Sequence, residues 1–267
     1  MSSAVSIWIK RRIANTGDFF RNFLLETSQL TYFCMRFFKE VVKPPYEFKE
    51  FAKQSKMVGN KSLLLIASTA MILGLVLTIQ TRPALVQFGA QSWLPAMVAI
   101  SIVREIGPAV TALIYAGKAG SGIGAELASM KITEQIDAME VSGINPFKYV
   151  VVTRILSSTL MLPILVVFAD TVALCGSYFA VNLKDNISLR LFFFQVFNQL
   201  QFSDIFPAFI KTFFFGFTIG LVSCYVGYNA GKGTESVGKA ANSAVVFGSF
   251  LVFIIDLIAV QVTSLLT

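Results

Sequence analysis

Residues 62–81 read SLLLIASTAMILGLVLTIQT, twenty residues without a charge between Lys61 and Arg82. At about 1.5 Å per residue, a helix of that length spans roughly 30 Å, the thickness of a bilayer core. The surrounding chain agrees. Of 267 residues, 55% are hydrophobic and 14% charged, whereas soluble domains carry about 25% charged residues. An integral membrane protein is the class this composition leaves. A porin-like barrel would need alternating strands of about ten residues, and the continuous apolar runs argue against that.

Working outward, Pro83–Val103 and Ile106–Gly117 flank an Arg104-Glu105 pair, and Ile155–Ala169 and Thr171–Leu183 flank Asp170. Thr212–Gly231 is uncharged, and Ala240–Ile255 and Leu257–Thr267 flank Asp256. These runs predict five transmembrane helices, at about 62–81, 88–117, 148–181, 205–228 and 241–265. The fold class is therefore an all-α integral membrane protein. It divides into an N-terminal segment, 1–60, and a membrane domain, 61–267.

Lys and Arg set the expected orientation. The segment 1–61 holds 11 of them, 118–154 holds four and 229–240 holds two. The alternate side has Arg82, Lys184 and Arg190, with Lys211 near a helix end. This bias predicts a cytoplasmic N-terminus and cytoplasmic segments 118–154 and 229–240. Basic residues that border membrane spans are no evidence for nucleic acid.

The N-terminus does not read as a cleavable signal peptide, because Lys10, Arg11 and Arg12 fall where an apolar core should be. Phe20, Phe23, Leu24, Leu30, Phe33, Phe37 and Val41 recur at near-helical spacing among Arg21, Arg36, Lys39 and Lys43. That pattern predicts an interfacial helix ended by Pro44-Pro45, with a partner-binding helix as the alternative. The three cysteines, Cys34, Cys175 and Cys224, are widely spaced in apolar context and read as small core residues. With no histidine in the chain, metal sites of His type and His-based triads lack their parts. No metal and no catalytic residue is expected.

One polar, glycine-rich stretch interrupts the apolar chain, AGKAGSGIGAELASMKITEQIDAMEVSGINP at 116–146. Gly120-Ser121-Gly122-Ile123-Gly124 follows a membrane helix, not the strand a dinucleotide-binding loop needs. Gly227–Thr234 falls one residue short of a Walker A loop, with Gly233 where Ser or Thr is required. No nucleotide-binding motif is present. The glycines are read as the point where the chain leaves the second span and enters a cytoplasmic helix of about 123–142. Gly143 suits its C-cap and Asn145-Pro146 the start of the third span. Ile132, Ile136, Met139 and Gly143 fall on one stripe, with Glu126, Thr133, Asp137 and Glu140 on or near another. The residues alone leave two readings open, a solvated loop helix or a helix offering acidic and apolar contacts to a second protein.

That stretch closely resembles the signature of the MlaE/YrbE permease family, membrane subunits of ABC transporters that move phospholipids or related lipids. Arg104-Glu105-Ile106-Gly107-Pro108 resembles the family's R-E-[LI]-G-P. Gly227-Tyr228 with Gly231, Gly233, Val237-Gly238 and Ala244-Val245-Val246 resembles its late loop, and Asp256 matches an acidic residue of the last span. The resemblance covers roughly 60–267. Lys118 stands where Arg is common, Ser129 where Gly is frequent, and Thr153-Arg154 where Pro-Arg is common.

The resemblance implies a homodimeric permease in the bacterial inner membrane, without catalytic activity or cofactor of its own. A partner ATPase would use the ATP, and an MCE-domain lipid-binding protein would sit on the outer side. The helix of about 123–142 would be the coupling helix, with Glu126, Glu134, Gln135 and Asp137 meeting the ATPase or bracing the helix. A lipid-facing ion at mid-membrane costs at least about 2.5–3.5 kcal/mol. Arg104, Glu105, Asp170 and Asp256 are therefore expected to face the protein interior or a wet cavity. Arg104 and Glu105 are candidates for the lipid pathway, with Leu73 and Leu77 as its apolar wall. The alternatives are a membrane coupling subunit of an importer for another hydrophobic solute or vitamin, and a lipid-modifying membrane enzyme. The enzyme would need a catalytic cluster that the sequence does not display.

Overall fold

The computed structural model describes residues 25–184 and 187–266, which are helices and their connections, with no strand among them. The chain has two compact units, residues 1–45 and 46–267. In the first, residues 25–41 form helix α1. Phe33 and Phe37 are buried there, whereas Tyr32, Met35, Phe38 and Val42 are exposed. The sequence argument from Lys10, Arg11, Arg12, Phe20, Arg21, Phe23 and Leu24 concerns residues outside the described ones.

In the second unit, five helices are long and apolar enough to cross a membrane: Phe48–Gln87, Gln91–Ile132, Phe147–Asn182, Phe202–Tyr228 and Glu235–Leu265. All are longer than the uncharged runs suggest. Helix α2, Phe48–Gln87, has 40 residues, or about 60 Å, so much of it stands clear of a roughly 30 Å hydrocarbon layer. Its first turns carry Lys49, Glu50, Lys53 and Lys56. They are tied to the third span there. The Gln54 amide donates to Glu50 at 2.8 Å and the Tyr149 hydroxyl donates to the other Glu50 oxygen at 3.3 Å.

The second span is one continuous helical path. It comprises α3 (Leu94–Ser101), a π turn (Ile102–Ile106), α4 (Gly107–Tyr115), a second π turn (Ala116–Gly120) and α5 (Ser121–Ile132). The path breaks at Glu134, whose φ of 58° is left-handed. A short helix α6, Gln135–Val141, follows. The third span is a π turn (Phe147–Val152) and α7 (Thr153–Asn182). Helix α8 (Leu189–Gln199) links it to α9 (Phe202–Tyr228), and α10 (Glu235–Leu266) completes the chain.

The cytoplasmic helix expected over about 123–142 is thus two helices, and its first half is the end of the second span. The reason lies in the glycines. They let backbones approach instead of releasing the chain. A Cβ on Gly227 of α9 would sit 2.7 Å from both the Gly124 carbonyl oxygen and Leu127 Cβ. Ile123, Gly124, Leu127 and Ala128 are buried in this contact.

The third span is the most buried of the five and the fifth the least, 67% and 17% of their most apolar stretches. Helix α7 packs between α2 and α9. Small polar side chains join these helices. The Thr78 hydroxyl donates to Ser177 at 2.7 Å, and the Ser158 hydroxyl donates to the Gly216 carbonyl at 2.8 Å. Such bonds contribute about 0.6 kcal/mol each in a membrane.

Candidate functional site

The intramembrane charges converge. Lys211 of α9 is the hub. Its ammonium donates to Glu105 of the first π turn at 2.7 Å and to Asp256 of α10 at 2.9 Å. The Lys211 side chain is 5% exposed, so this cation has left water for two carboxylates. Arg104 does not pair with Glu105. It reaches Asp204, near the start of α9, at 3.5 Å. Neighbouring residues on a helix point roughly 100° apart, so Arg104 and Glu105 meet different partners. Second, fourth and fifth spans are thereby joined at one level by ion pairs.

A cleft opens beside this cluster, lined by Arg104, Glu105, Asp204, Lys211, Ala259 and Thr263 among others. Its wall is half ionic and half small or apolar. The free space within it is about that of a single water molecule. Leu73 and Leu77 are not part of it. Leu73 lines a separate apolar crevice with Ile66, Ala70, Gly107, Val110 and Ala173, and Leu77, one turn on, is half-buried. Asp170 lies on Gly107, which directly follows the π turn, with its Oδ1 buried and without a hydrogen-bond partner among the described residues.

The other expected site is at the far end of the same span. Ile136 anchors α6 at 1% exposure. Glu134, Gln135, Asp137, Glu140 and Val141 are exposed around it, Val141 at 91%. Asp137 accepts from Lys131 at 2.8 Å. Glu126 is separate from this corner. It pairs at 2.8 Å with Arg154, which is buried at the start of α7 and also donates to the Val150 carbonyl at 2.9 Å. Glu126 therefore braces the second span against the third. Glu134, Gln135 and Asp137 form the outward face.

Lys211, Asp204 and Arg154 take part in these ion pairs, and the sequence reading names none of them as a site residue. The signal for Lys211 was a lone cation in an otherwise uncharged stretch, 205–231. It sits nine residues past the start of α9, or about 13 Å inside the helix, and is not at its end. No periodicity announces the pairing of Arg104 with Asp204 or of Arg154 with Glu126, because both join residues far apart in sequence.

Five membrane-length helices with ion pairs between them and an exposed acidic corner define a multi-pass membrane protein. The profile of the family described as Permease MlaE matches residues 51–262, and the chain belongs to that family of ABC transporter permeases. A probable ABC transporter permease protein of Rickettsia typhi is 36% identical over 80% of this chain and 83% of its own length. Another, of the red alga Pyropia yezoensis, is 36% identical over 77% of this chain and 78% of its own length. The intermembrane phospholipid transport system permease protein MlaE of Haemophilus influenzae is 32% identical over 79% and 81%.

Proposed function

We propose that this chain is the inner-membrane permease of an ABC transporter that moves phospholipids, working as a homodimer. It would have an ATPase docked on α6 and an MCE-domain protein on the opposite side of the membrane. The observation that carries the reading is the continuous helical path of the second span. It runs from the charged cleft at Arg104 and Glu105 to the exposed corner at Glu134. A displacement delivered at α6 travels along that path to the ion pairs of Lys211, and those pairs hold the second, fourth and fifth spans together. The two π turns in it are irregularities of the kind found at functional sites in helices. The name of the Haemophilus influenzae relative supports phospholipid as the cargo. The exposed apolar face of the fifth span, with Phe247, Phe250, Phe253 and Leu257, suits lipid tails as well as a second copy.

The test is to purify the chain with its ATPase, identify the co-purifying lipids by mass spectrometry, and follow them in an ATP-dependent transfer assay. Phospholipid that moves only with ATP is the expected result. A co-purifying vitamin or other solute, with no lipid transfer, overturns the reading.

A further inference from the structure

Asp170 has no part in the ion pairs described above, although it packs on Gly107, two residues past Glu105. It occupies the middle of α7, the most buried span, with Ala169 and Ala173 beside it. Gly107 of the second span faces it, and a Cβ at Gly107 would collide with its Oδ1. That oxygen is buried and accepts no hydrogen bond among the described residues. The residue as a whole is half-buried, and charge on this oxygen would be stripped of hydration without a hydrogen bond in return.

The neighbouring charges offer no relief. From α2, no charged residue lies between Lys61 and Arg82. From α4 there is none, Tyr115 being its one titratable side chain. The π turn brings Arg104 and Glu105, α9 brings Asp204 and Lys211, and α10 brings Asp256. Arg104 is engaged by Asp204, and Lys211 by Glu105 and Asp256. Lys211 belongs to α9, which packs against α7, and its hydrogen bonds go to Glu105 and Asp256. Four carboxyl groups thus share two cations, and Asp170 is the one left without a partner.

We propose that Asp170 is a proton-binding site within the permease. Its carboxyl is neutral while Lys211 is held by Glu105 and Asp256, and proton and ammonium are alternative partners for it. A rearrangement of α9 that brought Lys211 to Asp170 would exchange one for the other, because an adjacent cation favours the ionised carboxylate. Proton occupancy would then report the state of the ion pairs. The inference does not rest on which lipid is carried.

Infrared difference spectra between the full chain in nanodiscs and its Asp170→Asn variant test it at neutral pH. The expected result is the carbonyl stretch of a protonated carboxylic acid, downshifted in heavy water and absent from the variant. Carboxylate stretches in its place overturn the proposal. A Lys211→Gln background should shift loss of the acid band to higher pH; an unchanged pH overturns the competition between proton and ammonium. Should Asp170→Asn fold poorly, the unsubstituted chain answers the question through a hydrophobic carbodiimide, which attacks protonated carboxyls. An adduct mapped to Asp170, with a yield that falls as pH rises, supports the site. Adducts on Glu105 or Asp256 with none on Asp170 overturn it.

Discussion

Lys211 shows how much one residue can determine. Its ammonium is buried between two carboxylates, one of which, Glu105, keeps a 38% exposed side chain. Removing the cation alone leaves two acids facing each other. Breaking a buried pair costs about 3–5 kcal/mol, whereas replacing all its members by neutral groups is often close to neutral. The exposure of Glu105 brings the expected cost of Lys211→Met toward the lower end of that range or below. The triple variant Lys211→Met, Glu105→Gln, Asp256→Asn should therefore melt at a higher temperature than Lys211→Met alone. Thermal unfolding in detergent checks this, and a triple variant no more stable than the single one would show that the pairs are not what holds the helices. Arg154 makes a parallel case. It is 3% exposed and Glu126 40%, so Glu126→Gln should lower the melting temperature more than Arg154→Met does, because an unpaired Glu126 can rehydrate whereas the buried guanidinium cannot.

At the scale of the helix, glycines divide into those that touch a neighbour and those that do not. A Cβ at Gly227 meets the backbone of Gly124, whereas one at Gly122 meets nothing within 4 Å. Overpacking costs about 1–3 kcal/mol, and Ala is worth up to about 1 kcal/mol over Gly in an open helix position. Gly227→Ala is therefore expected to lower the melting temperature and Gly122→Ala to raise it slightly; the opposite order would refute the packing of α5 on α9. The same contrast explains what was legible in the sequence. The five spans were, because twenty uncharged residues have few other fates. The separation of α5 from α6 was not. Nothing in GSGIGAEL distinguishes glycines that end a helix from glycines that let it pass close to another. Gly227, which makes the second reading correct, lies about a hundred residues away. Asp170 and Asp256 stood out as buried charges, but their partners depend on which faces meet, and only the fold supplies that.

The whole molecule has two unlike ends, and its proposed work depends on which way they point. One end carries α6 and the connection between the fourth and fifth spans. The other carries α8 and the connection between the first and second. Basic residues crowd the first end, with Lys118, Lys131, Lys148, Arg154, Lys232 and Lys239 against Arg82, Lys184 and Arg190 at the second. The positive-inside bias predicts that α6 lies in the cytoplasm, where an ATPase would reach it. Single cysteines decide the matter in a chain whose Cys34, Cys175 and Cys224 have been replaced. Val141 and Gln199 are both exposed, at opposite ends. In intact cells a membrane-impermeant maleimide should modify Gln199→Cys and spare Val141→Cys, and after lysis it should modify both. The reverse pattern would turn α6 away from the cytoplasm and end its role as an ATPase contact. With the orientation established, Glu134→Lys and Asp137→Lys become informative. Both reverse charge on an exposed face without touching the buried Ile136 anchor, so each should weaken capture of the ATPase while leaving the melting temperature of the permease within a degree or two, as surface substitutions generally do. Undiminished ATPase binding in both would mean that the corner is held rigid for something other than the motor.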